Sequence, residues 1–379
     1  MELIELGSIL HMEKGKKPMA KQTTMTEGFL PYVDIKAFER GIVDNYATVE
    51  KSLLCKDGDL LIVCDGSRSG LTGRAIKGVV GSTLSKIYAD GLDTEYLRYF
   101  IQSKYTLLNT QKKGTGTPHL NVEILKKSKL VVPSLEKQKE VVLRIEELFS
   151  SLDNAVETLN KTKEQLVVYR QAVLKEAFEG IGTCAYKEIT SLCDNIVDCP
   201  HSTPKWVRNG KICLRTTNFR RGYLDLSEKN YVSEETYNER IARLKPEPGD
   251  VLFSREGAIL GLACIIPNGL EICMGQRMML LRPSKEMNNR YLMHYLNSPI
   301  SRQLIVENVG GSASPHINVG DIKRFKIPFV NSNKQEEIVS MVDARLSLCD
   351  SIGATVDNAL AKAEAMRQSI LKEAFEGRL

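Results

Sequence analysis

A chain of 379 residues with 42% hydrophobic and 26% charged side chains is long enough for two or three domains with real cores. It contains no apolar run near the roughly 18 residues of a membrane span, and its start, MELIELGSIL, lacks the basic-then-apolar layout of a signal peptide, so a cytoplasmic protein is expected. A formal charge of +5 permits a nucleic-acid partner without demanding one, and nine cysteines without a C-x-x-C pair predict reduced thiols, mainly in the core.

Taken in order, residues 1–133 read as a first globular domain. After a basic run, MEKGKKPMAK, with Lys14, Lys16, Lys17 and Lys21, comes YVDIKAF at 32–38. The run is either a backbone clamp or an exposed loop. DGDLLIVCDGSRSG at 57–70 is a β-rich run followed by a glycine-bounded loop. EYLRYFIQS at 95–103 is a plausible amphipathic helix, and GTGTPHLN at 114–121 closes the domain. A long helix is expected within 134–184. Residues 185–330 then repeat the order more loosely, as CLRTTNF at 213–219, PGDVLFSREGAILG at 248–261, RYLMHYLNS at 290–298 and GSASPHIN at 311–318, before a second long helix within 331–379.

The helical modules repeat far more closely. Residues 118–180 recur without a gap as 315–377, at a constant offset of 197, with 22 of 63 positions identical. Background composition would give about four. A heptad stripe runs through Val141, Ile145, Leu148, Leu152, Ala155, Leu159, Thr162, Leu166, Tyr169 and Val173 in the first copy. In the second it runs through Ile338, Val342, Arg345, Cys349, Ile352, Val356, Ala359, Ala363, Met366 and Ile370. No proline interrupts 136–179 or 333–376, so each helix can reach about 66 Å at 1.5 Å per residue. So narrow a seam cannot bury itself alone, and the nearest partner is the other copy. The expected fold is therefore α+β: two similar mixed α/β domains separated by two long helices that pair as an intramolecular antiparallel coiled coil, with pseudo-twofold character. Separate packing of each helix on its own domain, or dimerisation, is the alternative.

Catalytic motifs fail one by one. GSRSGLTGR at 66–74 lacks the lysine and the subsequent helix of a P-loop, and no H-E-x-x-H or G-x-S-x-G elbow occurs. Cys193, Cys199 and His201 fit no familiar zinc spacing and read as a structured loop with core cysteines.

The loops suit DNA better. Hydroxyls and amides can bond phosphates or base edges, and the lysines after each P-H-x-N motif can neutralise phosphate. The motif recurs in both halves, however, so Pro118, His119, Pro315 and His316 are expected to shape the turn into the helical module, with Asn121 and Asn318 capping that module. Readout belongs where the halves differ. Ser67, Arg68 and Ser69 stand opposite Ala258, Ile259 and Leu260; Lys36 stands opposite Thr217, next to Asn218; Thr115 and Thr117 stand opposite Ser312 and Ser314. Arg68, Arg215, Asn218 and Arg255 have the chemistry for bidentate contacts to guanine or adenine edges, although solvated surface or a local salt bridge is the competing assignment for each.

In this order and in duplicate, GDVL at 249–252, DCPHSTPKW at 198–206, the two P-H-x-N loops, the dipeptides Lys137-Gln138 and Lys334-Gln335, and the two copies of LKEAFEG resemble the specificity subunit of type I restriction-modification systems over essentially the full length. That resemblance implies a non-catalytic protein with two target-recognition domains. It implies as partners double-stranded DNA, two adenine methyltransferase subunits and, in systems that restrict, two translocating endonuclease subunits. S-adenosylmethionine, ATP and Mg would belong to those partners, with no cofactor or metal in this chain, in a bacterial or archaeal cytoplasm at the nucleoid. The reading of another class is an interaction scaffold whose coiled coil binds proteins and whose domains bind something other than DNA.

Overall fold

In the computed structural model, residues 3–114, 118–257, 259–309 and 315–379 are described. Their packing divides the chain into two units that do not follow chain order: 1–160 with 357–379, and 161–356. Each unit therefore holds one sheet-rich domain, part of the first long helix (Leu135–Glu179) and part of the second (Ser332–Phe375).

Each domain contains a four-stranded sheet of the same strand order, a second sheet of five strands in the first domain and four in the second, and a two-stranded pair. In the first unit the outer strand Leu10–Lys14 pairs with Leu84–Ala89, which pairs with Leu60–Val63 and then Thr72–Arg74, all antiparallel. In the second, Cys193–Asp198, Met278–Pro283, Val251–Ser254 and Ala263–Ile265 repeat that order. The central strands are buried on every residue, as a continuous apolar run such as LLIV requires. The other sheet contains one parallel pair in each unit, Phe29–Val33 with Gly78–Val80 and Lys211–Leu214 with Ile272–Met274.

The long helices begin where side chains satisfy free N–H groups: Ser134 Oγ accepts from Lys137 N at 3.3 Å and Asn331 Oδ1 from Lys334 N at 2.9 Å. One residue further, Gln138 and Gln335 are fully buried and do the same work. The Gln138 amide accepts from Asp93 N and donates to Gly91 O and Pro133 O, all within 2.7–2.9 Å. Gln335 accepts from Asn288 N and donates to Glu286 O and Val330 O, within 2.8–2.9 Å. Each glutamine thereby locks its long helix to the N-terminus of the amphipathic helix that precedes it, Thr94–Ser103 or Asn289–Leu296.

The two helices pair antiparallel. In the first unit Arg367 ion-pairs with Asp153 and lies 4.8 Å from the Phe149 ring, while Leu371 and Ala374 share a core with Val142, Ile145 and Phe149. In the second, Arg170 reaches Asp350 at 2.5 Å, Arg345 reaches Glu176 at 2.8 Å and the Tyr169 hydroxyl at 3.1 Å, and Val173, Ala177 and Phe178 share a core with Ile338 and Val342. The heptad stripe needs correction at four places: Ala155, Tyr169, Ile352 and Met366 are exposed. Towards the ends Val142, Phe149, Leu174 and Phe178 are buried in addition, because there the helix faces a domain as well as its partner helix. A 3.6-residue helix also drifts away from a strict 3.5 repeat.

All nine cysteines are free thiols and seven are buried. Among the described residues no helix is long and apolar enough to cross a membrane.

Candidate nucleic-acid interface

The glycine-bounded loops and the P-H-x-N loops meet. Gly66, Gly70, Gly257 and Gly261 all lie at φ between 87° and 106°, a region that disfavours a side chain, and this turns each loop back onto its strand. Gly66 N then donates to Pro118 O at 2.8 Å and Leu120 N to Cys64 O at 2.7 Å; Gly257 N donates to Pro315 O at 2.9 Å and Ile317 N to Arg255 O at 3.0 Å. Asn121 and Asn318 do occupy N-cap positions, but of five-residue helices, and neither side chain bonds the backbone there. Asn121 Oδ1 is buried with no partner among the described residues.

Where the outer strand ends, the two domains hold ion pairs of opposite polarity. Lys14 closes the strand in the first and reaches Asp65 at 2.9 Å, with His119 Nδ1 on the same carboxylate at 2.7 Å. Burial alone would raise the Asp65 pKa, but these two hydrogen bonds hold it below the ordinary carboxylate value. In the second domain the strand ends in Asp198, gripped by Arg255 through two bonds of 2.8 and 3.1 Å.

Asp198 opens a loop that is clamped from beneath. Helix Glu234–Ile241, capped by Ser233 Oγ on Thr236 N, delivers Arg240, which is only 4% exposed. Its guanidinium donates to Met274 O, Gly275 O, Ser202 O and Pro200 O at 2.6 to 3.3 Å and, among the described residues, has no carboxylate within ion-pair reach. Gln276 Nε2 adds a bond to His201 O. Four carbonyls from two separate segments thus satisfy one buried cation, and segment 200–202 is tied to segment 274–276. Past the tie, residues 201–210 are exposed except Pro204. There Trp206–Val207 pairs along the sheet edge with Tyr231–Val232, and the Arg215 guanidinium lies 5.8 Å from the Trp206 ring.

The candidate readers fall into three groups. Ser67, Arg68, Lys36, Arg215 and Thr217 lie at or near the surface: Arg68 pairs with Glu39, Lys36 with Asp44, and Ser67 O accepts from Asn109 and Lys112. Ser69, Asn218 and Arg255 are internal, which corrects their assignment as exposed base readers. Ser69 Oγ donates to Gly66 O and Cys64 O, and Asn218 holds the turn of Arg215 by bonding Arg215 N, Asp225 O and Glu228 O; Arg255 is committed to Asp198. Thr115, Thr117, Ser312 and Ser314, with Ala258 opposite Ser67, lie outside the described residues. Trp206, His201 and Arg277 are exposed near this surface although the comparison of the two halves does not select them; a lone tryptophan beside basic residues is the signal in the sequence that points to the first.

The family model of the type I restriction modification DNA specificity domain matches residues 1–167 and 209–360. The chain belongs to this family. Membership in the type I DNA specificity family is matched by whole-chain likeness. The MjaVIII type I restriction enzyme specificity subunit of Methanocaldococcus jannaschii is 25% identical, over 88% of this chain and 83% of its own length. The EcoBI specificity subunit of Escherichia coli is 21% identical, over 99% and 85%. Two solved structures share the fold. One, from work on complex assembly and conformational transition of the type I R-M system, aligns over 100% of this chain and 98% of that one with a TM-score of 0.75 and 19% identity. The other, the HsdS subunit of Thermoanaerobacter tengcongensis, covers 100% and 97% with a TM-score of 0.55 and 18% identity.

Proposed function

We propose that this chain is the DNA sequence-reading subunit of a type I restriction-modification complex, in which each domain reads one half of an asymmetric, bipartite site. The paired helices set the gap between the half-sites and dock two methyltransferase subunits; where the system restricts, two endonuclease subunits join. The chain performs no chemistry of its own in this reading, and S-adenosylmethionine, ATP and Mg are bound by its partners, in the cytoplasm at the nucleoid.

One observation carries the reading: a family match over both halves, joined to loops whose residues differ between halves while their internal bonds repeat. A common scaffold with unlike surfaces suits two unlike targets. A nonpalindromic site met by two similar docking faces would let identical partners bind on either side.

Mapping methyladenine across the genome of cells with and without the gene tests it directly. A split motif that disappears with the gene is expected. Exchange of residues 1–133 for those of a relative should change one half of that motif only, and insertion of one helical turn near Ala155 should change the gap and neither half-site. An unaltered methylation pattern refutes the reading, and a change in both halves refutes its modularity.

A further inference from the structure

We infer that Trp206 packs against duplex DNA as a contact residue of the second domain, an inference that rests on the DNA-reading function proposed above. Trp206 is the sole tryptophan of the chain, yet 41% of its surface is exposed, on a two-residue edge strand whose other member, Val207, is equally exposed. Folding leaves a large flat apolar ring in water at a place where a smaller polar side chain would serve the strand as well.

Its surroundings identify the occupant. Lys205, Arg208 and Arg215 are all exposed and, among the described residues, none has a carboxylate within ion-pair distance. Several other cations of this domain are matched, Lys211 with Glu271, Arg220 with Asp225, Arg255 with Asp198 and Arg282 with Asp250, so three unmatched ones beside a single exposed ring form a local positive patch. An apolar protein surface covering Trp206 would have to desolvate three unmatched cations. A duplex, which sets sugar and thymine-methyl surface beside its phosphates, neutralises the cations and covers the ring together.

The platform is also preorganised. Arg240 and Gln276 tie down the segment that leads into the strand, Asn218 fixes the turn that carries Arg215, and the Arg215 guanidinium lies 5.8 Å from the centre of an indole that remains 41% exposed. Little ordering remains to be done on binding.

Incorporating 5-fluorotryptophan into this chain alone gives one fluorine resonance, which can be tracked after assembly with unlabelled methyltransferase partner. Adding a duplex that carries the methylated motif is expected to shift that resonance. Trp206→Ala should weaken duplex binding about ten-fold with an unchanged salt slope, because no charge is removed, and Trp206→Phe should recover part of the loss. The inference is overturned if the complex binds the duplex with the resonance unmoved and Trp206→Ala binds as tightly as the parent. A shift on adding the methyltransferase alone, unaltered by DNA, also overturns it and assigns Trp206 to a protein interface. Absence of duplex binding at every salt concentration overturns this inference and the DNA-reading function together, whereas the other two outcomes leave that function standing.

Discussion

Arg255 holds Asp198 by two parallel hydrogen bonds, Nε to Oδ1 at 2.8 Å and Nη2 to Oδ2 at 3.1 Å, with both side chains largely withdrawn from water. Removing Arg255 leaves the withdrawn Asp198 carboxylate with only the exposed His201, 3.2 Å away, in place of a two-bond fork. Arg255→Ala is therefore expected to destabilise the protein by about 2–4 kcal/mol, and Arg255→Lys by less, since it keeps the charge but not the fork. Denaturant unfolding of the full chain measures this. Unchanged stability with an altered methylation motif would instead return Arg255 to the role of reader.

Gln138 and Gln335 each satisfy one backbone N–H and two carbonyls. A methionine of similar volume at either site strands those groups in a buried place. The expected cost is roughly 2–4 kcal/mol per site, read as a lower unfolding midpoint. Because the two sites lie in different packing units, the double variant should lose close to the sum.

Apolar burial, more than ion pairing, should hold the helices together. Val342 is fully buried, and Val342→Ala is expected to cost about 1–3 kcal/mol. Arg345→Ala gives up bonds to Glu176 and Tyr169 that stand in solvent, so its cost should be clearly the smaller of the two. The same unfolding measurement compares the two, and a larger loss for Arg345 would reverse the assignment.

Asp343 joins the second long helix to the amphipathic helix Asn289–Leu296 by accepting from His294 at 2.8 Å and Arg290 at 2.7 Å. Burial works to raise its pKa, but those two bonds outweigh it and leave the value below the ordinary 3.8. A carboxylate depressed on folding contributes stability that is complete above its unfolded pKa and is lost as pH falls through the folded one. The parent should therefore lose this contribution below about pH 4. Asp343→Asn should start less stable at neutral pH and show a shallower decline there, which unfolding midpoints across the acid range will reveal.

Several functional features were legible in the residues because they are local. The duplicated LKEAFEG endings, the proline-free stretches and the paired glycines each act within a few turns of chain, and they predict the long helices and the tight loops directly. The identity of Gln138 as a buried lock was not legible, although its dipeptide stood out, because its partners Gly91 and Asp93 lie more than forty positions away. For Arg255 the sequence left a base contact and a salt bridge open, and the fold decides for the salt bridge; nothing near it in the sequence indicates that Asp198, 57 residues earlier, is the partner.

By itself the sequence determined that this protein is one plan used twice, with two long helices bearing apolar seams, because periodicity and repetition are properties of neighbouring residues. Only the tertiary structure decided which cations are committed inside, as Arg240 and Arg255 are, and which stay unmatched at the surface, as Lys205, Arg208 and Arg215 do. That division is a matter of desolvation and long-range pairing. Both depend on which distant segments the fold brings together.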